Sequence, residues 1–167
     1  RRGKGTMGKI AEVIADHQLI ALDTNCFIYM LQADPWATLL KEELFRPLEN
    51  GEFQAVTSTL TLLELLVKPK AQGLEEVCDQ YITTLKSFPN LHLVDFTFDM
   101  AIYGAEIRGK YRLRTPDAIQ VATALASGAT IFFTNDLSLP DTIATLKIVF
   151  LKDLLPSRHD DEGGNQT

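Results

Sequence analysis

Four carboxylates stand out by their setting. Asp23 closes the apolar run Leu19-Ile20-Ala21-Leu22 and is followed by Thr24-Asn25. Thr134-Asn135-Asp136 repeats that layout after Ala129-Thr130-Ile131-Phe132-Phe133. Glu64 is the lone acid in residues 58–67, and Asp117 follows Thr115-Pro116 at the head of an alanine-rich stretch. If these acids share one pocket they cannot all stay ionised uncompensated, because like charges raise one another's pKa. The simplest compensating group is a hard divalent cation with oxygen ligands, Mg²⁺ or Mn²⁺. Such a site is suited to metal-assisted attack of water on a phosphate ester.

Convergence depends on the elements that carry the acids. Short apolar runs at residues 19–23, 53–57, 91–96, 129–133 and 147–151 read as strands. Between them lie helical patterns. Residues 7–17 carry Ile10, Val13, Ile14 and His17 at helical spacing, and a second pattern opens at Pro35 and ends at Asn50-Gly51. Residues 58–67 read as a helix apolar on every side and therefore largely buried, closed by Lys68-Pro69. Residues 74–88 give the cleanest stripe. Thr97 caps a helix running to about Gly109, and Thr115 is the expected N-cap of the next, with Pro116 at N1 and Asp117 at N2. Strands alternating with helices predict an α/β fold with a mostly parallel sheet. In that architecture Asp23, Asp117 and Asp136 fall on the carboxyl edge, where open α/β sheets bind ligands. Glu64, about two turns after the second strand, leans towards the same edge.

Each residue has a plainer account as well. Thr61-x-x-Glu64 matches a capping box. Asp117 suits a helix first turn, and Asn135-Asp136 is ordinary turn chemistry. Arg108, Lys110, Arg112 and Arg114 lie within seven positions beside Tyr111. They fit either a solvated helix C-terminus or a phosphate-gripping lip with an aromatic for stacking. His17 and His92 read as structural.

Taken together, Leu22-Asp23-Thr24-Asn25, Glu64, Thr115-Pro116-Asp117-Ala118-Ile119 with Ala122-Thr123-Ala124, and Thr134-Asn135-Asp136 resemble the PIN domain. The likeness is to its single-domain group that includes the VapC-type toxins, and it spans residues 19–151. The resemblance implies a doubly wound, five-stranded sheet and a metal-dependent ribonuclease, often a homodimer, in many cases silenced by a cognate antitoxin. Carried over residue by residue, it makes Asp23, Glu64, Asp117 and Asp136 the metal-holding catalytic acids. Thr24, Asn25 and Thr134 become polar support, and in-line hydrolysis leaves a 5′-phosphate and a 3′-hydroxyl. The placement of Arg108, Lys110, Arg112 and Arg114 just ahead of Asp117 favours their holding RNA, with Lys68 and Lys70 extending the patch. The helix before the first strand and the acidic tail depart from the smallest family members. A haloacid-dehalogenase-type phosphatase fits less well, because Asn25 stands where its second acid belongs. A PIN-like module that binds RNA or protein without cutting is the remaining alternative.

The bulk properties agree. A chain of 167 residues, 46% apolar, suits one domain at residues 7–155. A net charge of −6 argues against coating nucleic acid by bulk electrostatics. Cys26 and Cys78 read as buried hydrophobes, with no disulfide or zinc spacing. The expected compartment is the cytosol. Residues 1–6, ahead of Met7, read as a non-native or disordered start, and residues 156–167 as a disordered acidic tail.

Overall fold

The computed structural model describes residues 8–157. The proposed start at residues 1–6 and nearly all of the tail lie outside them. β1 (Leu19–Leu22) and β4 (Ile131–Thr134) are the central strands, flanked by β2 (Gln54–Ser58), β3 (Leu91–Val94) and β6 (Leu146–Phe150). The order β3-β2-β1-β4-β6 is parallel throughout. A sixth strand corrects the five-strand expectation: β5 (Thr142–Ile143) pairs antiparallel with β6 at the edge. At two residues, it is too short to register as an apolar run.

Side chains alternate across the sheet. Ile20, Leu22, Ile131 and Phe133 face a core shared with α1 (Lys9–Ile14), α2 (Thr24–Leu31) and the chain between α2 and β2. Ala21, Phe132 and Ile148 face a second core under α7 (Phe98–Tyr111) and α8 (Thr115–Ala126). Burial on both faces explains why these strands read as unbroken apolar runs. Gly104 of α7 gives α8 its close approach, with Ala118 and Ala122 opposite. Among the described residues, no helix is long and apolar enough to cross a membrane.

Three local expectations change. The helix expected from Pro35 is divided into α3 (Ala37–Leu40), a wider π turn at Lys41–Phe45 and α4 (Arg46–Glu49). The Arg46 N–H bonds to Lys41, five residues back, just ahead of Pro47, which has no N–H to offer. α5 (Thr59–Ala71) runs through Pro69 instead of stopping at it, and α6 (Glu75–Ser87) follows after a Gly73 turn at φ 68°. α5 is also less buried than its composition suggested. Leu63 and Val67 are each 59% exposed, so its outer side is an apolar surface and not core. α9 (Leu151–Leu154) is the last helix among the described residues.

Candidate active site

The site is assembled where β1, β2 and β4 run out and α2, α5 and α8 begin. Leu22 pairs with Phe133, and the Asp23 N–H continues the ladder to the Phe133 carbonyl at 2.9 Å. That register sets Asp23 beside Thr134, whose hydroxyl donates to Asp23 Oδ2 at 2.6 Å. Asp23 is the N-cap of α2, accepting from the Thr24 N–H at 2.7 Å, and Asn25 Nδ2 donates more weakly at 3.4 Å. Burial pushes the Asp23 carboxyl from 3.8 up to about 6. The hydrogen bonds from Thr134 and Thr24 pull it down, while the charges of Glu64 and Asp117 push it up again.

Glu64 does not close a capping box. Ser58 caps α5, accepting from the Leu60 N–H at 3.1 Å, while Thr61 is buried one turn on. Glu64 instead accepts from the Thr24 hydroxyl at 3.0 Å. Behind that bond lies a buried polar string that the sequence reading missed. Thr57 donates to the Leu22 carbonyl at 2.8 Å, so Thr61, 2.7 Å away, donates to Thr57. Gln120 Nε2 then donates to Thr61 at 2.8 Å and to Thr24 at 3.4 Å. The Ser58 N–H, donating to Gln120 Oε1 at 3.4 Å, fixes which way the amide faces. With one proton per hydroxyl, every donor has an assigned acceptor, and the string ends on the Glu64 carboxylate. Gln120 lies three residues after Asp117, on the same face of α8. A lone amide in that alanine-rich stretch was the available signal.

The third strand end brings Asp136. Its N–H donates to Thr134 Oγ1 at 3.0 Å, and Ser138 donates to its Oδ1 from N–H (3.0 Å) and hydroxyl (2.7 Å). Thr134 therefore joins Asp23 to the Asp136 turn. Asp117, only 8% exposed, sits one position deeper in α8 than expected, because Arg114 and not Thr115 is the N-cap residue. Arg114 Nε donates to Asp117 Oδ2 at 3.0 Å, and Nη2 donates to Asp136 Oδ2. Burial raises the Asp117 carboxyl, partly offset by Arg114. For Asp136 the upward effect of burial is outweighed by the two Ser138 hydrogen bonds and by Arg114, so its carboxyl lies below its ordinary value.

All four acids thus border one region, linked in the sequence Glu64, Thr24, Asp23, Thr134, Asp136, Arg114, Asp117. They do not close on a point. Among the described residues, no group of three His, Cys, Asp or Glu side chains stands close enough to hold a metal ion. A guanidinium lies between two of the acids instead. The donor chemistry still suits a hard cation. The set is all carboxylate and hydroxyl oxygen, and Asp23 carries repulsion from two other acids that a positive charge would relieve.

The basic stretch divides. Arg114 belongs to the acid cluster. Arg112 ends α7 in the left-handed region at φ 55°. Tyr111 is held, its hydroxyl accepting from the Ala144 N–H at 3.0 Å, with Lys110 5.4 Å from its ring centre. His92 contacts Gln54 and His17 contacts Thr130, both at the surface, and Cys26 and Cys78 are buried.

A family model described as the PIN domain matches residues 20–143, most of the chain and every one of these acids. The chain belongs to the PIN domain family. Comparison with curated protein sequences finds no match. Among solved structures, this PIN domain is similar to VapBC2 from Rickettsia felis bound to a promoter DNA fragment. The TM-score is 0.62 at 20% identity, covering 79% of this chain and 98% of that one. It is similar also to a toxin–antitoxin complex from Klebsiella pneumoniae (TM-score 0.58, 22% identity, 76% and 94% covered). A third is Mycobacterium tuberculosis VapC20, described as a toxin that cleaves the sarcin-ricin loop (0.56, 17%, 77% and 98%). At these identities the likeness is one of fold.

Proposed function

We propose that this PIN domain is an Mg²⁺- or Mn²⁺-dependent endoribonuclease and the toxin of a toxin–antitoxin pair. The observation that carries the reading is the ring of Asp23, Glu64, Asp117 and Asp136 around the ends of β1 and β4, joined through Thr24, Thr134 and Arg114. These four acids would hold the cation, which when bound supplies Lewis acidity at a phosphate oxygen and a more acidic water. Thr24 keeps Glu64 oriented, and Thr134 does the same for Asp23. Asn25 adds a further donor to Asp23. Arg108, Lys110 and Arg112 lie at the end of α7 that leads into Asp117, and in this reading they would hold the RNA backbone. Arginine at a left-handed position that ordinarily favours glycine supports a use for the Arg112 side chain.

Two surfaces support the partners proposed here. A groove of about 300 Å³ beside Glu64, lined by Ile28, Lys68, Leu74 and Tyr81 among others, offers an antitoxin segment a seat from which it would cover the site. Phe98 (81% exposed) and Ile102 (61%) form an apolar strip outside α7, which we propose as the homodimer surface. A second reading, a module that binds without cutting, draws on Arg114 already neutralising Asp117 and Asp136. The deciding experiment incubates the purified chain with single-stranded RNA in Mn²⁺, in Mg²⁺ and in EDTA, beside Asp117→Asn. The expected result is metal-dependent cleavage to 5′-phosphate ends, lost in the variant. RNA binding without cleavage in either metal establishes the second reading.

A further inference from the structure

We propose that Arg114 is a resident cation, occupying the charge position between Asp117 and Asp136 that a divalent ion must take from it. The inference rests on the metal-site reading above. It is carried by where the guanidinium lies. It engages Oδ2 of both acids, while Asp136 Oδ1 is committed to the two Ser138 donors. Oδ1 is therefore filled and Oδ2 keeps one lone pair, so a cation that recruits Asp136 either shares Oδ2 with the guanidinium against charge repulsion or displaces the arginine or Ser138. The Ser138 bonds are local, two residues away in one turn. The Arg114 side chain is 70% exposed and free to swing into solvent. Displacement of the arginine is the easier change.

The guanidinium spans two of the four acids, Asp117 and Asp136. Its planar fork sets Asp117 and Asp136 side by side, close enough that Asp136 raises the Asp117 carboxyl. A cation in its place would be held by the same carboxylate oxygens. Arg114 contributes to α8 through its backbone, its carbonyl accepting from the Ala118 N–H at 3.0 Å, so replacing the side chain leaves that turn intact. A released guanidinium would extend the basic stretch of Arg108, Lys110 and Arg112 that precedes it in the chain, available to a phosphate. One side chain would thus exchange two carboxylates for a substrate phosphate as the ion arrives.

The test is isothermal titration of the full chain with Mn²⁺ alone, comparing wild type, Arg114→Gln and Arg114→Lys, with melting curves in EDTA. Two ion pairs, exposed on the arginine side only, predict that Arg114→Gln binds Mn²⁺ roughly three- to tenfold more tightly. Arg114→Lys, which keeps a charge but not the fork, falls between. The metal-free Gln variant melts below wild type, and the gap narrows in saturating Mn²⁺. Arg114→Gln binding Mn²⁺ as wild type does, or more weakly, overturns the resident-cation inference and leaves the metal site standing. No Mn²⁺ binding by any of the three overturns the metal-site reading itself.

Discussion

Asp23→Asn tests the electrostatics of the site without reference to catalysis. The Asp23 carboxyl lies at about 6 in the folded chain against an ordinary 3.8, with burial the largest cause. The folded protein therefore holds this proton more tightly than the unfolded chain. Stability from this residue is fully present below 3.8 and is lost as pH rises towards about 6. Above that value the whole gap counts against folding, about 3 kcal/mol at pH 7.5. Asparagine removes the charge and keeps an oxygen for the Thr24 N–H, but it offers Thr134 a donor where the carboxylate offered an acceptor. Allowing ~1 kcal/mol for that mismatch, the variant should be more stable by about 1–2 kcal/mol at pH 7.5. For a chain of this size that is a melting point higher by roughly 3–6 °C. Circular dichroism melts in EDTA at pH 7.5 and pH 4.0 measure it, and most of the gain should vanish at the lower pH. Mn²⁺ should raise the wild-type melting point and leave the variant's unmoved. An asparagine variant less stable at pH 7.5, or one with the same gain at both pH values, would refute the argument and make Asp23 a structural cap.

Gln120→Leu should cost about 2 kcal/mol, because the buried Ser58 N–H loses its acceptor and Thr61 its donor; urea unfolding at unchanged m reads it. Gly104→Ala should be tolerated and stabilise by up to ~1 kcal/mol, since its Cβ meets Ala122 and Phe96 at 3.5 and 3.6 Å. Gly104→Leu should destabilise by ~2 kcal/mol from overpacking, and equal melting points for the two variants would show that α7 and α8 are not in firm contact there. Arg108→Ala with Arg112→Ala should weaken RNA binding and lower the slope of log affinity against log salt by about one to two, measured by fluorescence anisotropy in EDTA.

The carboxyl-edge placement of Asp23, Asp117 and Asp136 was legible because each marks a transition between strand and helix in an alternating α/β pattern. Burial on both sheet faces made β1 and β4 unmistakable as apolar runs. What escaped the sequence depends on partners distant in the chain. The Thr57–Thr61–Gln120 string joins α5 to α8 across the edge, and nothing local distinguishes those threonines from caps. Arg114 read as one of four basic residues, because its tie to Asp136 spans a crossover helix and a strand. Pro69 misled for a different reason: it gives up the N–H bond to the Leu65 carbonyl, yet with only two residues of α5 beyond it the helix passed through it.

The strand order has a consequence for the living cell. β4 inserts beside β1 only after some 110 intervening residues have been made, and until then Asp23 lacks Thr134, Asp136 and the other half of its surroundings. A chain still emerging from the ribosome consequently carries Asp23, Glu64 and Asp117 before Asp136 and the assembled centre. A ribonuclease of the kind proposed would in this way stay harmless to the machinery translating it until nearly its whole fold has been delivered.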